Sequence, residues 1–147
     1  MLKKTITYTD YDGQERTEDF YFNISKAEFA ELDMSTPGGF TTKLKIISDK
    51  KDVPAMLEVF KELITMSYGV KSPDGRRMVK SPELSKEFME TEAYSELFTD
   101  IFQDVDNMAE FIVGIMPVDS ETAQTAIASA KESMSTGSAP ALVVPNN

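Results

Sequence analysis

Two short runs near the start of the chain alternate strictly between apolar and polar positions. In KKTITYT, Ile6 and Tyr8 fall on one face and Thr5, Thr7 and Thr9 on the other; in TEDFYFNI, Phe20, Phe22 and Ile24 share a face. A period of two is that of a half-buried strand. Between the runs, Asp12-Gly13 is a two-residue turn signal, because glycine takes positive φ without strain. The pattern predicts a β-hairpin over residues 1–24. A lone hairpin is marginal in water, so its apolar face requires a cover.

The period then changes to that of helices. ISKAEF carries a capping box, Ser25 with Glu28, and places Ile24 and Phe29 for a hydrophobic staple. Pro37, Gly38 and Gly39 end this helix. FTTKLKII sets Phe40, Leu44 and Ile47 at helical spacing. Asp52 is the expected cap of a helix striped by Val53, Leu57, Phe60 and Ile64, with Gly69 as its C′ residue. Ser81 and Pro82 read as N-cap and first residue of another helix, which Leu84 and Phe88 begin to bury. Thr91 continues or restarts it, and Tyr94, Leu97, Phe98, Ile101, Phe102 and Val105 form a broad stripe. Asp106 is the expected cap of a last helix carrying Phe111, Ile112 and Ile115, stopped by Pro117.

Beyond Pro117 the apolar positions thin out. SETAQTAIASAKESM offers only Ala126, Ile127, Ala130 and Met134 to bury, and STGSAPALVVPNN has the composition of a flexible tail. The reading is α+β: one domain over residues 1–117, with the N-terminal hairpin packed against about five helices in 25–117, and a weakly helical to disordered tail over 118–147.

Composition narrows the chemistry. A chain of 147 residues is long enough to bury a core without disulfides or metals. It holds no run of about 18 apolar residues, so no membrane span is expected. MLKKTITYTDYDG lacks the apolar centre of a signal peptide, and cysteine is absent, which points to an intracellular site. Histidine is absent as well, which removes Ser-His-Asp and Cys-His triads and ordinary zinc sites. An enzyme would have to work with carboxylates, Lys, Ser, Thr or Tyr, and no pair of acids stands out for the task; no cofactor and no metal are expected.

Charge is polarised. From Ser81 to Glu121 there are eleven acids and one base, Lys86, which accounts for the whole net charge of −10; the rest balances, fourteen acids against fourteen bases. Directly before this segment, YGVKSPDGRRMVK concentrates Lys71, Arg76, Arg77 and Lys80 around a Pro-Asp-Gly turn. SPDGRR lacks the glycine-rich run that ends in Gly-Lys-Ser/Thr and cradles phosphates. Nucleic-acid binding needs a positive face, which four bases beside a −10 segment do not make. The bases are better placed to meet acids of the following helix or of a neighbouring subunit. DYDG opens like a calcium loop, but its further ligands are at the wrong spacing, and a hairpin turn accounts for it. Asp100 and Asp104 share a helix face while Asp106 does not, so a magnesium site is not read there. The aromatic stripe is foremost a core element. Its width, with nine methionines, also suits a protein that holds other chains, and Tyr94, Phe98 and Phe102 join the four bases as candidate contacts with a partner or second subunit.

The stretch YGVKSPDGRRMVKSPELSKEFMETEAYSELF, Tyr68 to Phe98, resembles the tail assembly chaperones of long-tailed siphophages that infect Gram-positive hosts. The SPDGRR turn and the TEAYSELF block, in that order, carry the resemblance, which extends more loosely from Thr7 to Pro117 through FNISKAE and FIVGIMP; Met78 departs from the aromatic or isoleucine expected there. It implies a non-enzymatic protein of the host cytoplasm that binds the tape-measure and tail-tube proteins during tail morphogenesis. Such a protein is absent from the mature virion and is often made in two lengths by a frameshift. Charge and hydropathy point to no nucleic-acid or membrane partner, and the charge pattern leaves a homo-oligomer open. The residues themselves leave three other readings: an acidic inhibitor that mimics DNA, a minor structural protein of the virion, and a carboxylate enzyme for which no pair of acids stands out.

Overall fold

The computed structural model describes residues 1–117; the tail read over 118–147 lies outside the described residues. The chain runs β1 (Leu2–Thr9), β2 (Glu15–Phe22), α1 (Lys26–Ser35), α2 (Phe40–Lys50), α3 (Val53–Ser67), β3 (Tyr68–Lys71), β4 (Met78–Val79), α4 (Pro82–Met89), α5 (Glu92–Gln103) and α6 (Val105–Ile115). The α+β architecture is the one expected; the described residues form six helices and a sheet of four antiparallel strands, order β1-β2-β3-β4, in place of a lone hairpin.

Strand faces follow the alternation. Ile6, Tyr8 and Phe22 are buried under the helices, while Thr5, Thr7 and Thr9 are exposed on the opposite face. The β1–β2 connection is one residue longer than a two-residue turn. The Asp10 N–H donates to the Gln14 carbonyl (2.8 Å) and the Gly13 N–H to the Asp10 carbonyl (3.0 Å), closing a loop of Tyr11, Asp12 and Gly13 with Gly13 at φ +81°. This is the three-residue hairpin in which glycine takes the left-handed position after a type I turn. The Asp10 carboxylate accepts from the Asp12 and Gln14 N–H groups and from Arg16 Nε, so DYDG is fully used as a turn.

Local signals set the helix ends. Ser25 and Glu28 form both halves of the capping box, and the staple partners Ile24 and Phe29 are buried. Asp52, Ser81 and Thr91 each accept an N–H from the first turn of α3, α4 and α5, so Thr91 starts a separate helix. Two expectations are corrected. The cap of α6 is Asp104, whose Oδ1 accepts the Asp106 N–H at 2.8 Å; Asp106 sits inside the first turn. Gly69 follows the C-cap but does not take the left-handed C′ conformation: Tyr68, the C-cap of α3, is already extended, and Gly69 continues as the second residue of β3.

Helices cover one face of the sheet, with α5 over β1, α3 against β2 and α4 against β3. Phe22, fully buried, is the hub: its ring lies 5.6 Å from those of Tyr68 and Phe88 and 5.4 Å from Phe111, joining the hairpin to β3, α4 and α6. A second tie is polar. The Asn23 N–H donates to the Ser67 carbonyl (2.8 Å) and the Ile24 N–H to the Ile115 carbonyl (2.7 Å), so the crossover from β2 to α1 is stitched to the ends of α3 and α6.

Candidate functional site

The basic stretch folds as a second hairpin added to the sheet. Tyr21 pairs with Gly69 and Phe22 with Tyr68, and β3 in turn pairs with β4 through Val70–Val79 and Lys71–Met78. Its tip satisfies itself. The Gly75 N–H donates to the Ser72 carbonyl and the Ser72 N–H to the Arg77 carbonyl, both at 2.8 Å. Ser72 Oγ donates to Asp74 Oδ1 (2.7 Å) and accepts the Arg77 N–H (3.0 Å), and the Arg76 N–H donates to Asp74 Oδ1 (3.0 Å). Gly75 takes φ +75° with open space around it, so glycine is there for its backbone freedom. The turn is rigid without help from the arginine side chains. Both arginines are exposed, and among the described residues no carboxylate lies within ion-pair distance of either.

The four bases therefore divide. Lys71 lies over the Tyr21 ring, 4.7 Å from its centroid, on the open face of the sheet. Lys80 turns inward and donates to the Asn23 carbonyl (2.6 Å) and to Glu28 Oε1 (2.7 Å). Its partner is on α1, not on the acidic helix that follows, and it holds the hairpin to the β2–α1 crossover. The acids of α5 meet β1 instead: Asp100 pairs with Lys4 at 3.7 Å, and Glu92 accepts from the Tyr11 hydroxyl at 3.0 Å. Lys80→Met should cost about 1–2 kcal/mol of stability in urea denaturation, at the low end for charged hydrogen bonds because the Glu28 side chain keeps 34 % of its exposure.

Tyr94, Phe98 and Phe102 form one face of α5, half-buried and joined ring to ring. Phe98 stacks on Phe102 at 4.5 Å, Phe60 of α3 meets both, and Tyr94 meets Phe88 of α4. Helices on two sides account for the breadth of the stripe. The Tyr94 hydroxyl is buried with no hydrogen-bond partner among the described residues, and burial raises its pKa. The bases and the rings are not one cluster: between them lie Tyr68 of β3, which stacks on Phe88 at 4.6 Å, and Phe20 and Phe22 of β2, which also meet Phe88.

Three carboxylates, Asp10, Glu28 and Asp74, titrate low. Arg16 and the Gln14 N–H hold the Asp10 carboxyl below its usual range, and the Ser72 hydroxyl and Arg76 N–H do the same for Asp74. Burial alone would raise Glu28, but Lys80 and Ser25 outweigh it and the net shift is downward. A carboxyl depressed in the folded state contributes stability above its unfolded pKa, about 3.9 for Asp and 4.3 for Glu, and that contribution is lost as pH falls through the folded value. With no histidine in the chain, thermal stability should be flat from about pH 6 to pH 9 and fall below about pH 4, as calorimetry across that range would record.

The hydroxyls that meet carboxylates serve the framework: Ser72 donates to Asp74 within the turn at 2.7 Å, and Thr5 to Asp19 across β1 and β2 at 2.6 Å. Ser85, the buried hydroxyl of α4, donates to the Thr65 carbonyl at 2.9 Å and serves the α3–α4 contact. A depression of about 680 Å³ between α1, α3 and α4 is a surface groove over Met66 and Pro82 rimmed by Glu28, Glu58, Glu62 and Lys61. Among the described residues the molecule presents exposed charge on a rigid turn and half-buried ring edges, on a small acidic α+β protein. The sequence model of one family, the phage tail assembly chaperones, matches residues 1–145, and the chain belongs to that family. Comparison with curated proteins and with solved structures returns no match.

Proposed function

We propose that this chain binds the tape-measure and tail-tube proteins of a long-tailed siphophage of Gram-positive bacteria during tail morphogenesis, in the host cytoplasm, and stays out of the finished particle. Family membership over nearly the whole chain is the observation that carries this reading. The chemistry is that of a holder, not a catalyst: apolar client surface is covered until it polymerises, and the acidic segment keeps the complex in solution. Among the described residues no helix is long and apolar enough to cross a membrane.

Lys71, Arg76 and Arg77 are the bases available to a partner, displayed on a turn that needs none of them. Tyr94, Phe98 and Phe102 supply ring edges at the rim of the core. In a homo-oligomer, the arginines of one subunit would meet the α5 acids of the next. That head-to-tail contact is heterologous and builds rings or filaments around an elongated client. Light scattering should show an oligomer at low salt that dissociates at high salt and in Arg76→Glu/Arg77→Glu. A wild type monomeric in both salts removes the head-to-tail contact.

Quantitative mass spectrometry of infected cells against purified particles tests the wider reading. The chain should be abundant in the lysate and missing from the particles. Stoichiometric presence in particles would make it a virion structural protein instead.

A further inference from the structure

The two edges of the sheet are unlike. β4 is a two-residue strand, whereas β1 is eight residues long, pairs with β2 without a bulge and contains no proline. Sheets ordinarily blunt such an edge, and here Lys3 and the inward-facing Lys4 do so only at its start. The Asp10–Gln14 bond fixes which backbone groups remain open. Bonded pairs in an antiparallel ladder recur at every second residue, so with Thr9 opposite Glu15 they fall at Leu2, Lys4, Ile6 and Tyr8. The N–H and C=O groups of Lys3, Thr5, Thr7 and Thr9 are directed away from β2, and among the described residues no strand meets them.

Helix α5 runs antiparallel to β1, as the contacts Tyr11–Glu92 at one end and Lys4–Asp100 at the other establish. Its Ala93, Leu97 and Ile101 are buried, and its ring row faces α3 and α4. At 100° per residue, Glu92, Glu96 and Asp100 then project to the other side, along the open edge of β1. The edge is thus a shelf with hydrogen-bonding backbone below and carboxylates alongside. Residues four apart on a helix advance about 6 Å, and residues two apart on a strand about 6.7 Å, so the spacings agree across three positions.

We infer that the open edge of β1 accepts an extended segment as a fifth strand, and that the α5 carboxylates select one with Lys or Arg at alternate positions. Backbone pairing supplies the affinity and the side-chain row the choice, as in other strand additions. A second copy fits less well. Its β1 brings a single lysine, Lys4, to the inner face, and a two-fold edge pairing sets one acidic row beside another. The proposal rests on the chaperone reading only for where the strand comes from, since a client would supply it.

The test uses the full chain and a dye-labelled decapeptide alternating Lys and Val, with a control of equal composition whose lysines are contiguous. Fluorescence anisotropy should show the alternating peptide binding at least tenfold more tightly than the control. Hydrogen exchange should show the Thr5, Thr7 and Thr9 amides fast in the free protein and protected by the peptide. Thr7→Pro deletes an outward N–H that β2 does not use, a position edge strands tolerate, and should weaken binding at least tenfold. Glu96→Lys, on the surface of α5, should do likewise and reduce the salt dependence. No preference for the alternating peptide, or binding indifferent to either variant, would overturn the proposal. So would amides already protected in the free protein: protection that grows with concentration assigns the edge to a second copy, and protection independent of concentration assigns it to residues 118–147. None of these results bears on whether the chain co-purifies with tail proteins, so the two readings fail separately.

Discussion

Phe22→Ala should lower the unfolding free energy by about 3–5 kcal/mol, the range for removing a buried phenylalanine. That is a large part of the 5–15 kcal/mol that holds a typical domain. The reason lies in what the ring joins. It is fully buried and contacts Tyr68, Phe88 and Phe111, from three elements distant in sequence from its own strand. Truncation leaves a cavity between the hairpin and the helices at a place where the backbone cannot collapse to fill it. The flanking Asn23 and Ile24 N–H groups are bonded to Ser67 and Ile115 and hold the walls apart. Urea denaturation should show a lower midpoint with little change in slope, because the folded and unfolded states expose nearly the same areas as before.

Gly69→Ala should detach β4 from the sheet. A methyl at position 69 would sit 2.8 Å from the Val79 carbonyl oxygen and 3.0 Å from the side chains of Met78 and Lys80, in a pair of strands with no slack. The glycine is selected for closeness, not for φ, since its backbone is ordinary extended strand. The cost is that of overpacking, about 1–3 kcal/mol, and it is concentrated in one place. Displacing Val79 and Lys80 withdraws Lys80 from Glu28 and loosens the turn that carries Arg76 and Arg77. Limited trypsin digestion should therefore cut after Arg76 and Arg77 several-fold faster in Gly69→Ala, with the helical signal in circular dichroism retained.

These two residues also mark how far the sequence could be read. Phe22 was legible as a core position because its cue is local: a period of two, with Phe20 and Ile24 beside it. The same holds for the capping box at Ser25 and for Ser81 and Pro82, where the signal and the structure it causes lie within four residues. Gly69 was misread because a glycine after a helix serves equally as a C′ residue or as a place of close approach. The deciding partner, β4, comes ten residues later. Strands of four and two residues are too short to show a period, and β3 and β4 exist by adding to β2, so the sequence announces only the Pro-Asp-Gly turn between them. YGVK and MV flanking Pro-Asp-Gly were the available signal.

The site shows the same division. Charge alone marked Lys71, Arg76, Arg77 and Lys80 as a group, but burial separates them. Lys80 belongs to the framework through a carboxylate 52 positions earlier, a pairing no local pattern announces. The stripe of Tyr94, Phe98 and Phe102 was visible, and its width suggested spare apolar surface. Phe60 and Phe88 on neighbouring helices take up that width. Asp106 for Asp104 is a smaller miss of the same kind, two acids competing for one cap within a single turn.

The central claim is that this chain holds tail proteins in solution during assembly, and co-expression with the tape-measure protein tests it most directly. The expected result is a tape-measure protein that aggregates when made alone but stays soluble and co-elutes with this chain in gel filtration when the two are made together. A tape-measure protein that aggregates regardless, with this chain eluting by itself, would contradict it.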